Sequence, residues 1–255
     1  MTQKVRANAE WERWGEVDPL WGVASWAGKQ AGSADEWTME EFLRLGESDW
    51  VDIRNRWERY GLNGDVCLEV GCGAGRLTYS MADDFGTVHG VDVAPAMLAK
   101  AASVVAERPV TLHLGDGLHI PLADASVDAA LSTHVFQHLD SDADAEANWR
   151  ELFRVLRPGG SMMVHLPVHF WPAGLDSVQH VYELRRRIGD LRAWARRRRM
   201  AKKGAPPIMR GRSVAWPALE QLLRDIGFTD IELTMFRMRS NDGMHPFVLA
   251  RKPVA

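Results

Sequence analysis

Between residues 65 and 168 the chain alternates short apolar, β-branched runs with stretches whose apolar residues recur every three to four positions. That alternation is the pattern of a parallel sheet wound with crossover helices. Strands are predicted at 66–70, 87–91, 110–114, 127–132 and 161–166, with helices over 76–85, from 95 to about 107, and over 143–156. Pro95 suits a first helical turn, where its missing N–H would be unpaired in any case. The third helix carries Trp149, Leu152, Phe153 and Leu156 on one face, and Pro158-Gly159-Gly160 reads as its stop.

On either side the pattern changes. Thr38-x-x-Glu41 has the form of a capping box, and Gly46, Trp50, Ile53, Trp57 and Tyr60 then recur at helical spacing. After the core comes a long insertion, followed by a helix near 217–226 and two strands, 229–238 and 245–251, that should close the sheet. The expected organisation is a Trp-rich helical cover or lid over 1–64, a core over 65–168, a basic cap insertion over 169–212, and closing elements of the core over 213–255.

The strongest local signal is Val66-Cys-Leu-Glu-Val-Gly-Cys-Gly-Ala-Gly75: an apolar strand, the acidic Glu69, then glycines at 71, 73 and 75 enclosing Cys72. Glycine is needed where a backbone turns tightly and a ligand approaches closer than a Cβ would permit. A dinucleotide fingerprint, G-x-G-x-x-G, is not satisfied, because the third glycine comes one residue early and Arg76 follows it. Asp92 ends the second strand, 21 residues after Gly71, where a carboxylate can accept both hydroxyls of a ribose. Asp116-Gly117 follows the third strand, Phe136-Gln-His-Leu139 the fourth, and Leu156-Arg-Pro-Gly-Gly160 precedes the fifth. Cys72 reads as a small filler of the turn rather than a nucleophile, since nothing near it in sequence would lower its pKa. Asp84, Asp124 and Asp128 read as turn and strand-edge residues.

With these motifs co-placed, residues 65–166 resemble a class I S-adenosylmethionine-dependent methyltransferase of the bacterial small-molecule type. The resemblance implies an α/β fold: a Rossmann-like, seven-stranded, mostly parallel sheet with helices on both faces, an N-terminal helical cover and a helical cap inserted after strand five. It implies S-adenosyl-L-methionine as cofactor and S-adenosyl-L-homocysteine as product. By the same likeness, Glu69 and the turn Gly71, Cys72, Gly73 and Gly75 would hold the methionine end, and Asp92 the ribose. Asp116 with Gly117 would hold the adenine, flanked by Val93 and Met97. Thr133 and His134 would lie near the methionine carboxylate or the sulfonium.

Methyl transfer from a sulfonium starts from an activated leaving group, so the protein must align the acceptor and, for a hydroxyl, remove its proton. His134, His138, His165 and His169 all lie at or just beyond the ends of strands four and five, where open α/β sheets bind ligands. Of these, His134, His138 and His169 are the candidate bases; His180 and His245 are weaker ones. Ser132-Thr-His-Val-Phe136 stands where amino-methylating enzymes often carry Asn/Asp-Pro-Pro-Tyr, and neither the carboxylate set of metal-assisted catechol methylation nor a catalytic Cys for pyrimidine methylation is apparent. The expected reaction is therefore metal-independent methylation of a hydroxyl on a sugar or secondary metabolite, with no metal ligands. Methylation of an amine or of a carrier-bound carboxylate comes next, and a non-catalytic module that binds the cofactor and docks a partner through a basic arm is the reading from another class.

Composition adds two anomalies. Net charge is −3, yet residues 185–203 hold ten Arg/Lys against the single Asp190, a local +9 that leaves −12 elsewhere. That run fits an anionic or carrier-tethered acceptor, or a basic face solvated and paired within a monomer or homodimer. Nucleic acid is disfavoured, since a pI near 6.3 and Trp194 as the run's only aromatic offer no stacking platform. Seven of eleven tryptophans fall in the first 57 residues. Trp50 and Trp57 read as packing, whereas Trp11, Trp14, Trp21 and Trp26, without clean periodicity, read as a lid walling an apolar or sugar-like acceptor. Two cysteines allow no disulfide framework, and no stretch is as long and apolar as a signal peptide or a spanning helix. A cytoplasmic protein without membrane contact is expected.

Overall fold

A computed structural model describes residues 6–170, 212–241 and 243–254. The basic run 185–203, with Trp194, and His180 lie outside the described residues, as does almost all of the expected cap.

Seven strands form one sheet: β1 (Val66–Val70), β2 (Thr87–Asp92), β3 (Val110–Leu114), β4 (Val127–Ser132), β5 (Leu156–His165), β8 (Thr229–Arg237) and β9 (Met244–Arg251), in the order β3-β2-β1-β4-β5-β9-β8. All neighbours are parallel except β9, which runs antiparallel to both β5 and β8. Strand order reverses between β1 and β4, which opens a crevice at their carboxyl ends. This is the Rossmann-like, mostly parallel α/β sheet expected. Two short strands, β6 (Val168–His169) and β7 (Val214–Ala215), pair beside it and bring the two ends of the insertion together.

Both faces of the sheet are covered, so its strands alternate between two apolar layers rather than between core and water. On one face α6 (Asp142–Val155) and α7 (Trp216–Ile226) bury Trp149, Leu152, Leu219 and Leu223 against Leu68, Ala130, Met162, Val164 and Val248. On the other, α3 (Met39–Tyr60) and α4 (Arg76–Met81) bury Trp50, Ile53, Trp57, Leu77 and Met81 against Cys67, Ala129, Leu131, Met163 and Leu249. Thr38 and Glu41 form the capping box of α3, and Gly61, in the left-handed region at φ 109°, ends it.

Three expected boundaries shift. The third predicted helix stops at Val155, ahead of Pro158-Gly159-Gly160, because Leu156 already pairs with Val127; the Pro-Gly-Gly stretch is an irregularity inside β5, between the pairs Val127–Leu156 and Ala129–Ser161. The first ends at Met81 rather than 85. Beyond it, Asp84 turns toward α3, where its carboxylate accepts the Trp50 indole N–H at 2.7 Å and pairs with Arg54 at 2.6 Å. The helix α5 (Pro95–Val104) ends about three residues early.

Three of the first four tryptophans, Trp11, Trp14 and Trp21, lie in helices. α1 (Arg6–Val17) carries Trp11 and Trp14, and α2 (Pro19–Val23), five residues long and so too short to display a period, carries Trp21. Their Trp14 is buried with Met97 of α5, and Trp21 packs on Trp14 at 4.9 Å between ring centroids. They join the protein core through α5, and only Trp11 and Trp26 of the four reach the cavity described next.

Candidate active site

A cavity of about 430 Å³ opens at the carboxyl ends of β1, β2 and β4. Its floor is the turn after β1. Gly71 sits at φ 78° with a Cβ position that the Val135 side chain already fills, so no other residue fits there. The Gly71 and Cys72 amides donate to the Val91 carbonyl at 2.7 and 3.1 Å, which folds the turn back on β2. Asp92, the last residue of β2, accepts the Gly73 amide at 2.8 Å and the Ala94 amide at 2.9 Å. Although one edge of Asp92 opens to the cavity, surrounding protein raises its pKa, an effect that the amide donors at Ala94, Gly73 and Val93 oppose. Glu69 is buried in the cavity wall; burial pushes its carboxyl up to about 7, against the Thr78 hydroxyl it accepts and the nearby Arg76 guanidinium.

Strand β4 delivers the other wall. Thr133 and His134 follow it directly, and His134 adopts φ 59°, one of three non-glycine residues with positive φ among those described. A short 3-10 turn, Phe136–His138, then places His138 edge-on to Trp11 of α1, with centroids 5.2 Å apart. Behind His134 stand His165, the last residue of β5, and His245, near the start of β9. The three rings converge: His134 to His165 at 4.1 Å, His165 to His245 at 5.3 Å and His134 to His245 at 5.6 Å between centroids. One ring nitrogen from each lies within 4.8 Å of the others, the spacing of a group that could hold a metal ion. Burial, and then mutual repulsion among neighbouring histidines, lowers His165 to about 2; burial, then Arg76, lowers His134 to about 3.

Several residues of this site could not be found from sequence, since their partners are far along the chain. Asn8 on α1 donates to the Asp116 carbonyl at 2.6 Å and Asn148 on α6 to the Gly117 carbonyl at 2.9 Å, so two helices clamp the loop after β3. Asp49 on α3 and Arg76 on α4 form a buried ion pair in the cavity wall. The close approach of the two helices needs Gly46, because a Cβ there would run into the Arg76 carbonyl. The histidine trio itself comes from three strands that are adjacent only in the sheet; the one signal in sequence was that each His ends or begins a strand.

Of the expected site residues, Glu69, Gly71, Cys72, Gly73, Asp92, Val93, Met97, Gly117, Thr133, His134 and His138 line this cavity. Three do not. Gly75, at φ 85°, caps α4. The Asp116 carboxylate is exposed and accepts the Leu118 and His119 amides at 2.8 and 2.7 Å, making it a turn-former whose backbone, not side chain, meets the Asn8 clamp. His169, in β6, lies 3.1 Å from the Ser213 hydroxyl, outside the cavity lining. The Cys72 thiol is held well above its ordinary pKa by burial, then by Asp92 and Glu69, as suits a filler. Asp128 accepts the Asp65 and Val66 amides and pairs with Arg157 at 2.7 Å, and Asp124 pairs with Arg154 at 2.7 Å.

Residues 68–164 match the family described as "Methyltransferase domain". An uncharacterized methyltransferase of Geobacillus thermodenitrificans is 35% identical over 100 residues, 39% of this chain and 46% of that protein. The O-methyltransferase resE of Aspergillus sclerotiorum is 26% identical over 186 residues, 68% of this chain and 58% of its own length. Across the first curated relatives, the match spans about half of their length or less. Among solved structures, the [4+2]-cyclase SpnF superposes with a TM-score of 0.58 at 19% identity, covering 98% of this chain and 97% of its own, a likeness of fold.

Proposed function

We propose that this chain, whose residues 68–164 form a class I S-adenosylmethionine-dependent methyltransferase domain, transfers a methyl group to a hydroxyl of a small molecule. One observation carries the reading. A single cavity is bounded on one side by Glu69, Gly71, Gly73 and Asp92, and on the other by Trp11, His134, Gln137 and His138. The volume is that of a site for cofactor-sized ligands.

The residues present fit the cofactor. Asp92 keeps unused carboxylate lone pairs at the cavity edge for ribose hydroxyls, and Glu69, poised near neutrality, would face the amino group of the methionine moiety. When bound, S-adenosylmethionine supplies an electrophilic methyl on a sulfonium, leaving S-adenosylhomocysteine. The protein's share is to hold the acceptor in line and move its proton. His138 is the residue we assign to take that proton, since it lines the cavity beside Trp11. His134 is a poor proton acceptor, because protonation is held off until about pH 3. Trp11 and Trp26 offer ring faces to an apolar or sugar-like acceptor. The arginine run, read from sequence, suits an acceptor that is anionic or carrier-tethered.

An amine acceptor is the second reading, and Asp49 favours it. Its Oδ1 is buried at the cavity wall without a hydrogen-bond partner and would accept from an ammonium or amine N–H. Both readings are tested by incubating the protein with methyl-labelled S-adenosylmethionine and a matched panel of hydroxylated and amino compounds. Labelled ether products, with kcat falling ~10²- to 10⁴-fold in His138→Ala, are expected. Labelled amines alone would replace the first reading by the second. Absence of cofactor binding would overturn both.

A further inference from the structure

We propose that His134, His165 and His245 form a binding site for one divalent transition-metal ion of the zinc class, set at the carboxyl edge of β4 and β5 beside the start of β9. Chemistry narrows the ion: three imidazoles with no thiolate and no clustered carboxylate suit zinc, cobalt, nickel or iron rather than calcium or magnesium. Three histidines plus one exchangeable position is a common donor set for a reactive zinc ion.

Geometry supports the assignment. His245 Nδ1 and His165 Nε2 are 3.4 Å apart, long for a hydrogen bond but close to the ~3.3 Å between two nitrogens of a tetrahedral ion with bonds of about 2.0–2.1 Å. With all three ligand nitrogens within 4.8 Å of one another, His134 needs to swing in by no more than ~1.5 Å. The tautomer of His245 is already set. Asn241 Oδ1 accepts the Gly243 amide at 2.8 Å, which fixes the orientation of that amide group, and the same oxygen lies 3.0 Å from His245 Nε2. Nε2 therefore carries the proton and Nδ1 presents its lone pair toward His165, the arrangement by which an outer partner orients a metal-binding histidine.

The remaining points concern burial and strain. His165 is 4% exposed, so its Nε2 meets His245 Nδ1 inside the protein rather than in water. His134 holds a left-handed backbone conformation, strain of the kind that persists at functional sites. Besides the neighbouring histidines, the charges acting on these rings are Arg76 on His134 and Asp49 on His245, which pair with each other in the buried cavity wall. The metal-independent expectation drawn from sequence could not anticipate this, since no two of the ligands share a strand.

The consequence for chemistry rests on the methyl-transfer reading. His134 alone of the three lines the cavity, so an exchangeable ligand would enter from that side. An acceptor hydroxyl bound there would be made more acidic: its O–H bond would break with the proton passing to His138, the oxygen would use the retained electron pair to bond the methyl carbon, and the methyl–sulfur bond would break with its pair going to sulfur, releasing S-adenosylhomocysteine.

The test uses the untagged full chain, stripped with a chelator and titrated with Co²⁺, while S-adenosylhomocysteine binding is followed separately by calorimetry. One Co²⁺ per chain with intense visible bands of a tetrahedral ion is expected. His245→Gln should abolish those bands. Asn241→Ala should weaken Co²⁺ affinity ~10- to 100-fold, and both variants should keep S-adenosylhomocysteine affinity, which shows that they fold. No stoichiometric Co²⁺ binding by the unaltered chain, or binding that neither substitution changes, would overturn the site. If Co²⁺ binds as expected and S-adenosylhomocysteine does not, the metal site stands and the methyl-transfer reading falls.

Discussion

The carboxylate of Asp92 bridges the Gly73 amide at 2.8 Å and the Ala94 amide at 2.9 Å, so the residue assigned to the ribose also holds the glycine turn against the start of α5. Recognition and shape are thus coupled in one side chain. Asp92→Ala should lower affinity for S-adenosylhomocysteine by more than ~100-fold and also destabilise the fold. Asp92→Asn keeps one acceptor oxygen and should lose ~10- to 100-fold, following the about 1.5–3 kcal/mol of a hydrogen bond to a charged group. Calorimetric affinities unchanged in both variants would refute the assignment.

Glu69 makes the site pH-sensitive. Burial raises its carboxyl from 4.5 to about 7, so between these values the unfolded chain has released a proton that the folded chain keeps. Its relative stabilisation is therefore present below about 4.5 and is lost as pH rises through about 7. Glu69→Gln should be more stable than the natural chain at pH 8, by about 3 kcal/mol at most, with the advantage vanishing toward pH 4.5. Urea unfolding at several pH values measures this. Cofactor affinity should move the other way, weakening in the natural chain as pH falls below about 7 and staying flat in the variant.

Trp57 donates its indole N–H to the Ser161 hydroxyl at 2.9 Å, joining α3 to β5 in the core. Trp57→Phe should cost ~2–4 kcal/mol, part of it from leaving the buried Ser161 hydroxyl unpaired. Adding Ser161→Ala should recover ~1 kcal/mol of that loss, measured by denaturant unfolding, because both polar partners are then gone. Strict additivity of the two single substitutions would contradict the pairing.

Asp49 and Arg76 are both buried at the cavity wall, where a lone charge is costly. Asp49→Asn should destabilise the protein by ~3–5 kcal/mol, while a double replacement by apolar residues of similar volume should be far milder. Equal losses in the single and the double variant would show that the pair acts through packing alone.

The alternation of β-branched and helical runs, the glycines after β1 and the acidic Glu69 and Asp92 identify the parallel core and the floor of the cavity. They do so because the strand–helix alternation and the turn between β1 and α4 are local matters, set by neighbours within about ten residues. The helix after Ala143 shows where that locality ends: Pro158-Gly159-Gly160 looks like its stop, yet pairing of Leu156 with Val127 begins the strand earlier. Asp116 shows it again, since only the fold reveals that its carboxylate caps its own turn.

By itself, then, the sequence determined the sheet, the crossover helices and the floor of the cavity, all written in short-range periodicity and backbone requirements. Tertiary structure decided the walls. Trp11 meets His138, Asp49 meets Arg76, and His134, His165 and His245 meet one another because β9 inserts antiparallel beside β5 and α1 folds back over the carboxyl ends of the strands. Such contacts join residues tens to more than a hundred positions apart, and no local pattern encodes them.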